Sequence, residues 1–220
     1  MADKAINTKG QRLYSVDNFV FQDRFRDDVE GILIPEGIVM MRAEKMMREI
    51  ALDVHNDNPV VVPLMEGADD FYHKLFSNRH YTFPRTDLRL TVKSYEGTES
   101  TENIMFPNPN ELDKLLETLK GNSRPMIIIE DIVDSGRTIG GLRKRLVKEG
   151  IDETRIKLAA LISKPSRRLP DFNEMWIDYL GFVIDDYFIV GCGLDFDGRY
   201  RELPDICVLR PHVYEEIKRK

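Results

Sequence analysis

Cysteine is scarce in this chain: of 220 residues, only Cys192 and Cys207 carry a thiol. Two cysteines cannot build a disulfide framework, and these two lack the paired spacing of a zinc site, so both are expected as reduced core thiols. Long apolar runs are missing too. No stretch approaches the roughly 18 consecutive apolar residues of a membrane span, and Met1 to Gly10 hold no apolar leader core, so a cytoplasmic address and no membrane partner are expected. The closing Lys218-Arg219-Lys220 is not a peroxisomal tripeptide and reads as a helix end whose cations complement the dipole. Positive charge is in deficit, with 32 Lys and Arg against 38 Asp and Glu and a formal charge of −6. That balance, with no basic stripe interleaved with aromatics, speaks against a nucleic-acid partner. Any anionic ligand must therefore meet a local basic patch or a metal. Glycine and proline are modest at 14 and 11 residues, and 42% of the chain is apolar, which excludes collagen-like and disordered classes. The length suits one α/β domain with a hood or arm.

Residues 1–14 read as a polar tail and Gln22–Glu30 as a short helix leading into Ile32–Ile34. From Ile38 to about His55, apolar residues recur at helical spacing. Val60–Leu64 is a β-branched run followed by Gly67 and a helix over Asp69–Phe76. Leu88–Val92 reads as a strand, and Glu96–Asn103 as a polar, mobile loop. Asn110 is expected to cap a helix over Glu111–Lys120. Met126–Ile129 is wholly apolar, Thr138–Glu149 is helical, and Lys157–Ile162 is a strand. Further strands are expected at Trp176–Val183, Phe188–Val190 and Ile206–Leu209, with a last helix near His212–Lys218. Strands alternating with helices argue for a mainly parallel sheet flanked by helices, with ligands beyond the carboxyl ends of the strands.

The chemistry concentrates in Met126-Ile-Ile-Ile-Glu130-Asp131-Ile-Val-Asp134-Ser135-Gly136-Arg137-Thr138. An apolar strand runs into three carboxylates, which give way to small hydroxyl residues and glycine at a helix start. Backbone N–H groups of such a turn, with the helix dipole and the Ser135 and Thr138 hydroxyls, cradle a phosphate monoester. The carboxylates need a different partner: sugar hydroxyls, a divalent cation or a proton. A ribose phosphate satisfies both halves. The Walker A pattern is absent, because the position five before Gly136 is Asp131 rather than glycine.

This string resembles the signature of the phosphoribosyltransferase family. Leu161-Ile-Ser-Lys164, Gly181-Phe-Val, Phe188-Ile189-Val190-Gly191 and Leu194-Asp195-Phe196 through Tyr200-Arg201 are similar in order and spacing to its hypoxanthine-guanine branch. The resemblance covers roughly residues 15–210. It implies a type I fold, a single domain over 15–220, and a small hood from about 15–37 and about 176–210. It implies transfer of a 5-phosphoribosyl group from phosphoribosyl pyrophosphate to a 6-oxopurine, with Mg²⁺, in a homodimer or homotetramer. By the same resemblance Asp134 serves N7 of the base, and Glu130 and Asp131 hold the ribose hydroxyls. Ser135, Gly136, Arg137 and Thr138 receive the 5′-phosphate. Lys164 donates to the 6-oxo oxygen, Phe188 stacks on the purine, and backbone groups near Ile189 and Asp195 read its edge. Asp195 reaches the metal, with Glu130 and Asp131 beside it. Arg201 and the loop Met65-Glu66-Gly67 take pyrophosphate, and Lys93, Ser94 and Tyr95 begin a lid. One position departs from the pattern: Glu66 stands where the family usually has lysine, in a loop that often carries a cis peptide. An acid there predicts weaker or more Mg²⁺-dependent diphosphate binding.

Other readings are poorer. Asp195-Phe-Asp197-Gly198 resembles a phosphatase nucleophile motif, but that motif normally opens a domain and here few residues follow it. Gly191-Cys-Gly193 lacks the third glycine of a dinucleotide fingerprint, since position 196 is Phe196. A catalytically weak nucleotide sensor on the same fold would accommodate Glu66, whereas the complete set of Glu130, Asp131 and Asp134 argues for retained catalysis.

Overall fold

The computed structural model describes residues 5–54, 56–77, 80–94, 104–172 and 176–215. In chain order its strands are β1 (Ile6–Asn7), β2 (Val29–Ile34), β3 (Val60–Met65), β4 (Thr86–Asp87), β5 (Leu90–Thr91), β6 (Lys93–Ser94), β7 (Ile104–Met105), β8 (Met126–Val133), β9 (Ile156–Ser163), β10 (Tyr179–Val183), β11 (Ile189–Val190) and β12 (Ile206–Leu209). The helices are α1 (Glu36–Val54), α2 (Ala68–Phe76), α3 (Pro109–Leu119), α4 (Arg137–Lys148) and α5 (Pro211–Glu215). No helix among the described residues is long and apolar enough to cross a membrane.

The β-branched runs form one wholly parallel sheet in the order β1-β10-β9-β8-β3-β4, with β5 also paired to β3. Alternation along β8 splits its side chains between two cores. Ile127 and Ile129 join Met46, Ile50 and Phe71 from α1 and α2, whereas Met126 and Ile128 join Leu115, Leu142 and Leu146 from α3 and α4. Burial on both faces explains why the inner strands are nearly all apolar. A second, antiparallel sheet, β11-β12-β2, forms the hood over a third core that includes Phe25, Tyr200 and Leu209. Strands β6 and β7 pair as a two-stranded arm. From β3 the chain first builds outward to β4 and β5, then returns to the opposite side of β3 for β8, β9 and β10. The order therefore reverses between β3 and β8, and a crevice opens beyond the carboxyl ends of these two strands.

Several boundaries differ from the sequence expectation. Residues 1–14 do not form only a tail: β1 lies on the sheet edge, and the Thr8 N–H donates to Val183 O at 2.9 Å. Within Gln22–Glu30 only Asp23–Phe25 makes a helical turn, because Val29 already pairs in β2 with Leu209 and is buried there. Leu88–Val92 is divided, and only Leu90–Thr91 pairs beside the end of β3. Asn108, not Asn110, precedes α3, since Pro109 has the fixed φ that suits a first helical position. The hood does not extend over all of 176–210, because β10 pairs in parallel with β9 and belongs to the main sheet. The loop expected at Glu96–Asn103 and the helix end beyond Glu215 lie outside the described residues.

Gly181 shows how closely β9 and β10 approach. A Cβ at this position would lie 2.4 Å from Leu161 O, and the buried Arg42 side chain of α1 donates to Leu180 O at 2.6 Å and Gly181 O at 3.2 Å. Backbone cannot yield to a methyl group as a side chain can. Gly181→Ala is expected to cost about 1–3 kcal/mol, read as a lower urea midpoint with an unchanged slope; an unmoved midpoint would show that β9 gives way.

Candidate active site

Two loops flank the crevice. The first follows β3, where the Met65–Glu66 peptide is cis and Gly67 leads into α2. The second follows β8, where Gly136 adopts φ 83° and turns the chain into α4. That left-handed conformation is costly for a residue with a Cβ, which accounts for the glycine there. The resulting cleft of about 470 Å³ is lined by Leu64, Met65, Glu66, Gly67, Thr91, Val92, Lys93, Glu130, Asp131, Thr138, Asp195 and Arg201.

Gly67 is required by proximity alone. Its φ is −59°, open to any residue, yet an added Cβ would sit 2.1 Å from Asp131 Oδ2. The loop after β3 therefore rests on the second carboxylate of β8. A third loop closes the corner, because Gly193, at φ 88°, packs where a Cβ would meet Asp70 Cβ at 2.8 Å and Gly67 O at 3.0 Å. It delivers Asp195 and Arg201. Arg201 pairs with Asp195 Oδ1 at 2.8 Å and Glu66 Oε2 at 3.6 Å, and also donates to Gly193 O at 2.8 Å. The Gly198 N–H donates to the other Asp195 oxygen at 2.8 Å.

Electrostatics makes this cleft demanding. Burial, followed by the neighbouring Asp131, pushes Glu130 well above the ordinary carboxylate range. Burial likewise pushes Asp131 up to about 6, against the pull of the Ile132 N–H, which donates to Oδ1 at 2.7 Å, and of Arg201. Desolvation penalises the charged form, and two adjacent acids penalise each other. A cation or a set of hydroxyl donors relieves both. Among the described residues, no three His, Cys, Asp or Glu side chains group closely enough to hold a metal alone. A hard cation here must therefore take most of its oxygens from water or a ligand, a familiar arrangement for Mg²⁺ with phosphates.

A second constellation lies at the ends of β8 and β9. Lys164, only 6% exposed, donates from Nζ to Tyr187 O at 2.6 Å. Burial lowers its pKa, partly offset by Asp134 and Asp186. Arg167 donates to Asp134 Oδ1 at 3.3 Å and pairs with Asp186 at 3.6 Å, and these acids hold its charge. Arg168 fixes the turn by donating to Val133 O, Asp134 O and Ser163 Oγ. A cationic donor and a carboxylate thus stand side by side next to the Ser135–Thr138 turn, in which Ser135 Oγ accepts from the Arg137 N–H at 3.4 Å.

The structure brings Met65, Glu66, Gly67, Glu130, Asp131, Thr138, Asp195 and Arg201 into one cleft, with Ser135, Gly136 and Arg137 in the adjoining turn. Asp134 and Lys164 share the second constellation. Phe188 immediately precedes hood strand β11, which Ile189 begins; Ile189 is buried, and the Phe188 ring stacks on Tyr214 at 4.5 Å. Ser94 ends β6, and Tyr95 lies outside the described residues. Sequence reasoning missed Thr91, which lines the cleft, and Arg167, which touches Asp134; Lys93, expected only as the first residue of a lid, lines the cleft as well. Lys93 had a usable signal: it follows a strand and is a cation beside an acid-rich site.

Residues 36–197 match the family model for the phosphoribosyl transferase domain. The chain is 34% identical over 197 residues to the bifunctional protein TilS/HprT of Listeria monocytogenes, covering 88% of this chain but only 28% of that protein. It is 30% identical over 203 residues to the hypoxanthine-guanine phosphoribosyltransferase of the dog, covering 89% of this chain and 88% of that one. Its fold is similar to the crystal structure of a hypoxanthine phosphoribosyltransferase from Staphylococcus aureus, with TM-score 0.74, 26% identity, and coverage of 89% and 99%.

Gly67→Ala forces the loop after β3 away from Asp131. It is expected to lower kcat/KM about a hundredfold, the scale of a displacement near 1 Å at a reacting centre, while the melting temperature stays near that of the parent. Equal steady-state activity in the two proteins would separate the loop from the reaction.

Proposed function

The chain belongs to the phosphoribosyltransferase family, and we propose that it is a purine-salvage enzyme. It transfers the 5-phosphoribosyl group of phosphoribosyl pyrophosphate to a 6-oxopurine, hypoxanthine or guanine and by extension xanthine, giving the nucleoside 5′-monophosphate and pyrophosphate. The observation that carries the choice of base is the buried Lys164 ammonium beside Asp134. A 6-oxo group accepts a hydrogen bond from an ammonium, whereas the 6-amino group of adenine cannot.

The Ser135–Thr138 turn receives the 5′-phosphate through backbone N–H groups and hydroxyls at the start of α4. Glu130 and Asp131 accept hydrogen bonds from the ribose 2′- and 3′-hydroxyls, and their negative field favours a sugar ring that gains positive charge as pyrophosphate departs. Asp134 accepts the proton of purine N7. Phe188 stacks on the base, and backbone groups of Ile189 and Asp195 read its edge. Arg201 exchanges its contact with Asp195 for the leaving diphosphate, with Lys93 and the Met65–Gly67 backbone on the other side. Ser94 and Tyr95 belong to a lid that keeps water from the reacting sugar. Glu130, Asp131 and Asp195 would hold Mg²⁺ together with donor oxygens, and the ion supplies charge neutralisation for the departing diphosphate. A homodimer or homotetramer in the cytoplasm completes the proposal. The alternative of a weakly catalytic sensor rests on the acidic net charge and on Glu66, whose side chain is 77% exposed and paired with Arg201.

The test is to incubate the protein with phosphoribosyl pyrophosphate, Mg²⁺ and each of a panel of purines and pyrimidines, following nucleotide formation. Product is expected with hypoxanthine and guanine and not with adenine, orotate or uracil; no product with any base would favour the sensor. Lys164→Met is expected to erase the preference for hypoxanthine over adenine. In the parent enzyme, the KM for hypoxanthine is expected to rise at a pH below the ordinary lysine range. The sign follows from burial, which favours loss of the Lys164 proton as pH increases. A pH-independent KM, or unchanged selectivity in the variant, would assign base choice elsewhere.

Glu66→Lys removes an acid that competes with the diphosphate for Arg201 and adds a cation beside it. A KM for phosphoribosyl pyrophosphate about two- to fivefold lower is expected, the scale of an exposed ion pair, together with a weaker dependence on Mg²⁺ concentration. A higher KM would mean that the acid assists donor binding.

A further inference from the structure

The C-terminal helix α5 has no part in the mechanism above, yet one of its side chains lies flat against the ring assigned to the purine. Tyr214 and Phe188 are stacked, with centroids 4.5 Å apart and planes 10° apart. Phe196, the neighbour of Asp195, meets Phe188 edge-on at 5.0 Å and 83°. A face contact fixes the tilt of the Phe188 ring, and an edge contact limits its rotation.

The backbone reinforces the arrangement. The Leu209 N–H donates to Phe188 O at 2.9 Å, so the end of β12 is tied to the start of β11. Arg210 then donates from its backbone N–H to Asp28 O at 2.8 Å and from Nε to Val29 O at 3.2 Å, which anchors the entry to α5 on β2. Val213 and Tyr214 pack on the hood core with Phe188 and Phe196. Helix α5 is thus held by the strand that ends beside Phe188, and its tyrosine returns to the same ring.

We propose that Tyr214 is a positioning residue for the base: it backs Phe188 on one face so that the opposite face is presented to the purine. The inference rests on the reading that Phe188 stacks on the base. A lone phenylalanine at a cleft edge must be ordered when the base arrives, whereas a backed ring is ordered beforehand, so the benefit falls on base affinity. It does not fall on the transfer step, because Tyr214 is not among the residues that line the cleft around Glu130 and Asp131.

The test compares Tyr214→Leu, Tyr214→Met, Tyr214→Phe and Phe188→Leu in the full chain, varying hypoxanthine at saturating phosphoribosyl pyrophosphate and then the reverse. Tyr214→Leu and Tyr214→Met are expected to raise the KM for hypoxanthine about three- to tenfold, the scale of one aromatic pair, with kcat and the KM for phosphoribosyl pyrophosphate nearly constant. Tyr214→Phe keeps a flat ring and is expected to restore the base KM. An unchanged base KM in Tyr214→Leu overturns the proposal. So does a lowered one, which would mean that Tyr214 covers the face the base needs. A joint shift of all three parameters, or an altered oligomeric state by sedimentation, would make the role structural and likewise overturn it. Phe188→Leu separates the two levels: if it leaves the base KM unchanged, the stacking reading itself fails. If it raises that KM and Tyr214→Leu does not, only the role of Tyr214 fails.

Discussion

Two adjacent carboxylates at the end of a buried strand set the terms for everything around them. Strand β8 is apolar through Ile129, and the next two residues are Glu130 and Asp131 at the rim of the same core. Neither acid is easily ionised there, and each makes ionisation of the other harder. The fold meets this demand from three directions. Gly67 lets the loop after β3 lie against Asp131, Gly193 lets a third loop close over Gly67, and that loop carries Arg201 to within reach of both walls. Replace either glycine by a larger residue and the acids lose their neighbours, not merely a turn.

The same constraint explains how a chain of net charge −6 can serve an anionic substrate. Positive charge is placed, not abundant. Arg201 is held between Asp195 and Glu66, Arg167 between Asp134 and Asp186, and Lys164 is buried against a carbonyl. Each cation is kept in position by an acid or a backbone dipole that a ligand can replace. Binding is then an exchange of partners in a low-dielectric cleft, which costs less reorganisation than recruiting mobile surface lysines. Glu66 fits this picture as a temporary partner of Arg201, so its presence in the diphosphate loop is compatible with transfer chemistry.

Much of the fold was legible because parallel strands buried on both faces leave long apolar runs, and amphipathic helices leave a regular period. Met126–Ile129, Lys157–Ile162 and the α1 stripe are of this kind, and each lies in its expected element. The errors occur where tertiary pairing overrides a weak local pattern. Val29 leaves a helix-like segment to pair with Leu209, β10 joins the main sheet although the family resemblance assigned its segment to the hood, and Ile6–Asn7 becomes an edge strand through pairing with β10 alone. For the site, the contiguous string Glu130–Thr138 was legible because one strand end and one helix start carry it. Arg167 was not, and Lys93 was legible only as the start of a lid, since a single cation in a polar stretch has no pattern until the fold sets it against an acid.

In the proposed reaction the site is divided between two structural units, and the division matches the two halves of the substrate pair. Loops after β3 and β8, both on the rigid parallel sheet, surround the acids and the phosphate-binding turn, where a displacement of an ångström would disturb bond breaking. The side proposed for the base instead takes Lys164 from just past β9 and Tyr187, Phe188 and Ile189 from the entry to the hood, where Ile189 and Tyr187 pack in the main core with Ile127 and Ile129 while Phe188 packs on the hood cluster. Repacking around Phe188 on the hood cluster reaches the proposed base side first, while the group-transfer geometry remains anchored in the sheet. The hood strands are thus tied to the sheet through Ile189, Ile206 and Val208 and are free of it only on the face that carries Phe188 and Phe196, so a drift in base preference that spares the transfer geometry has to run through that outer face.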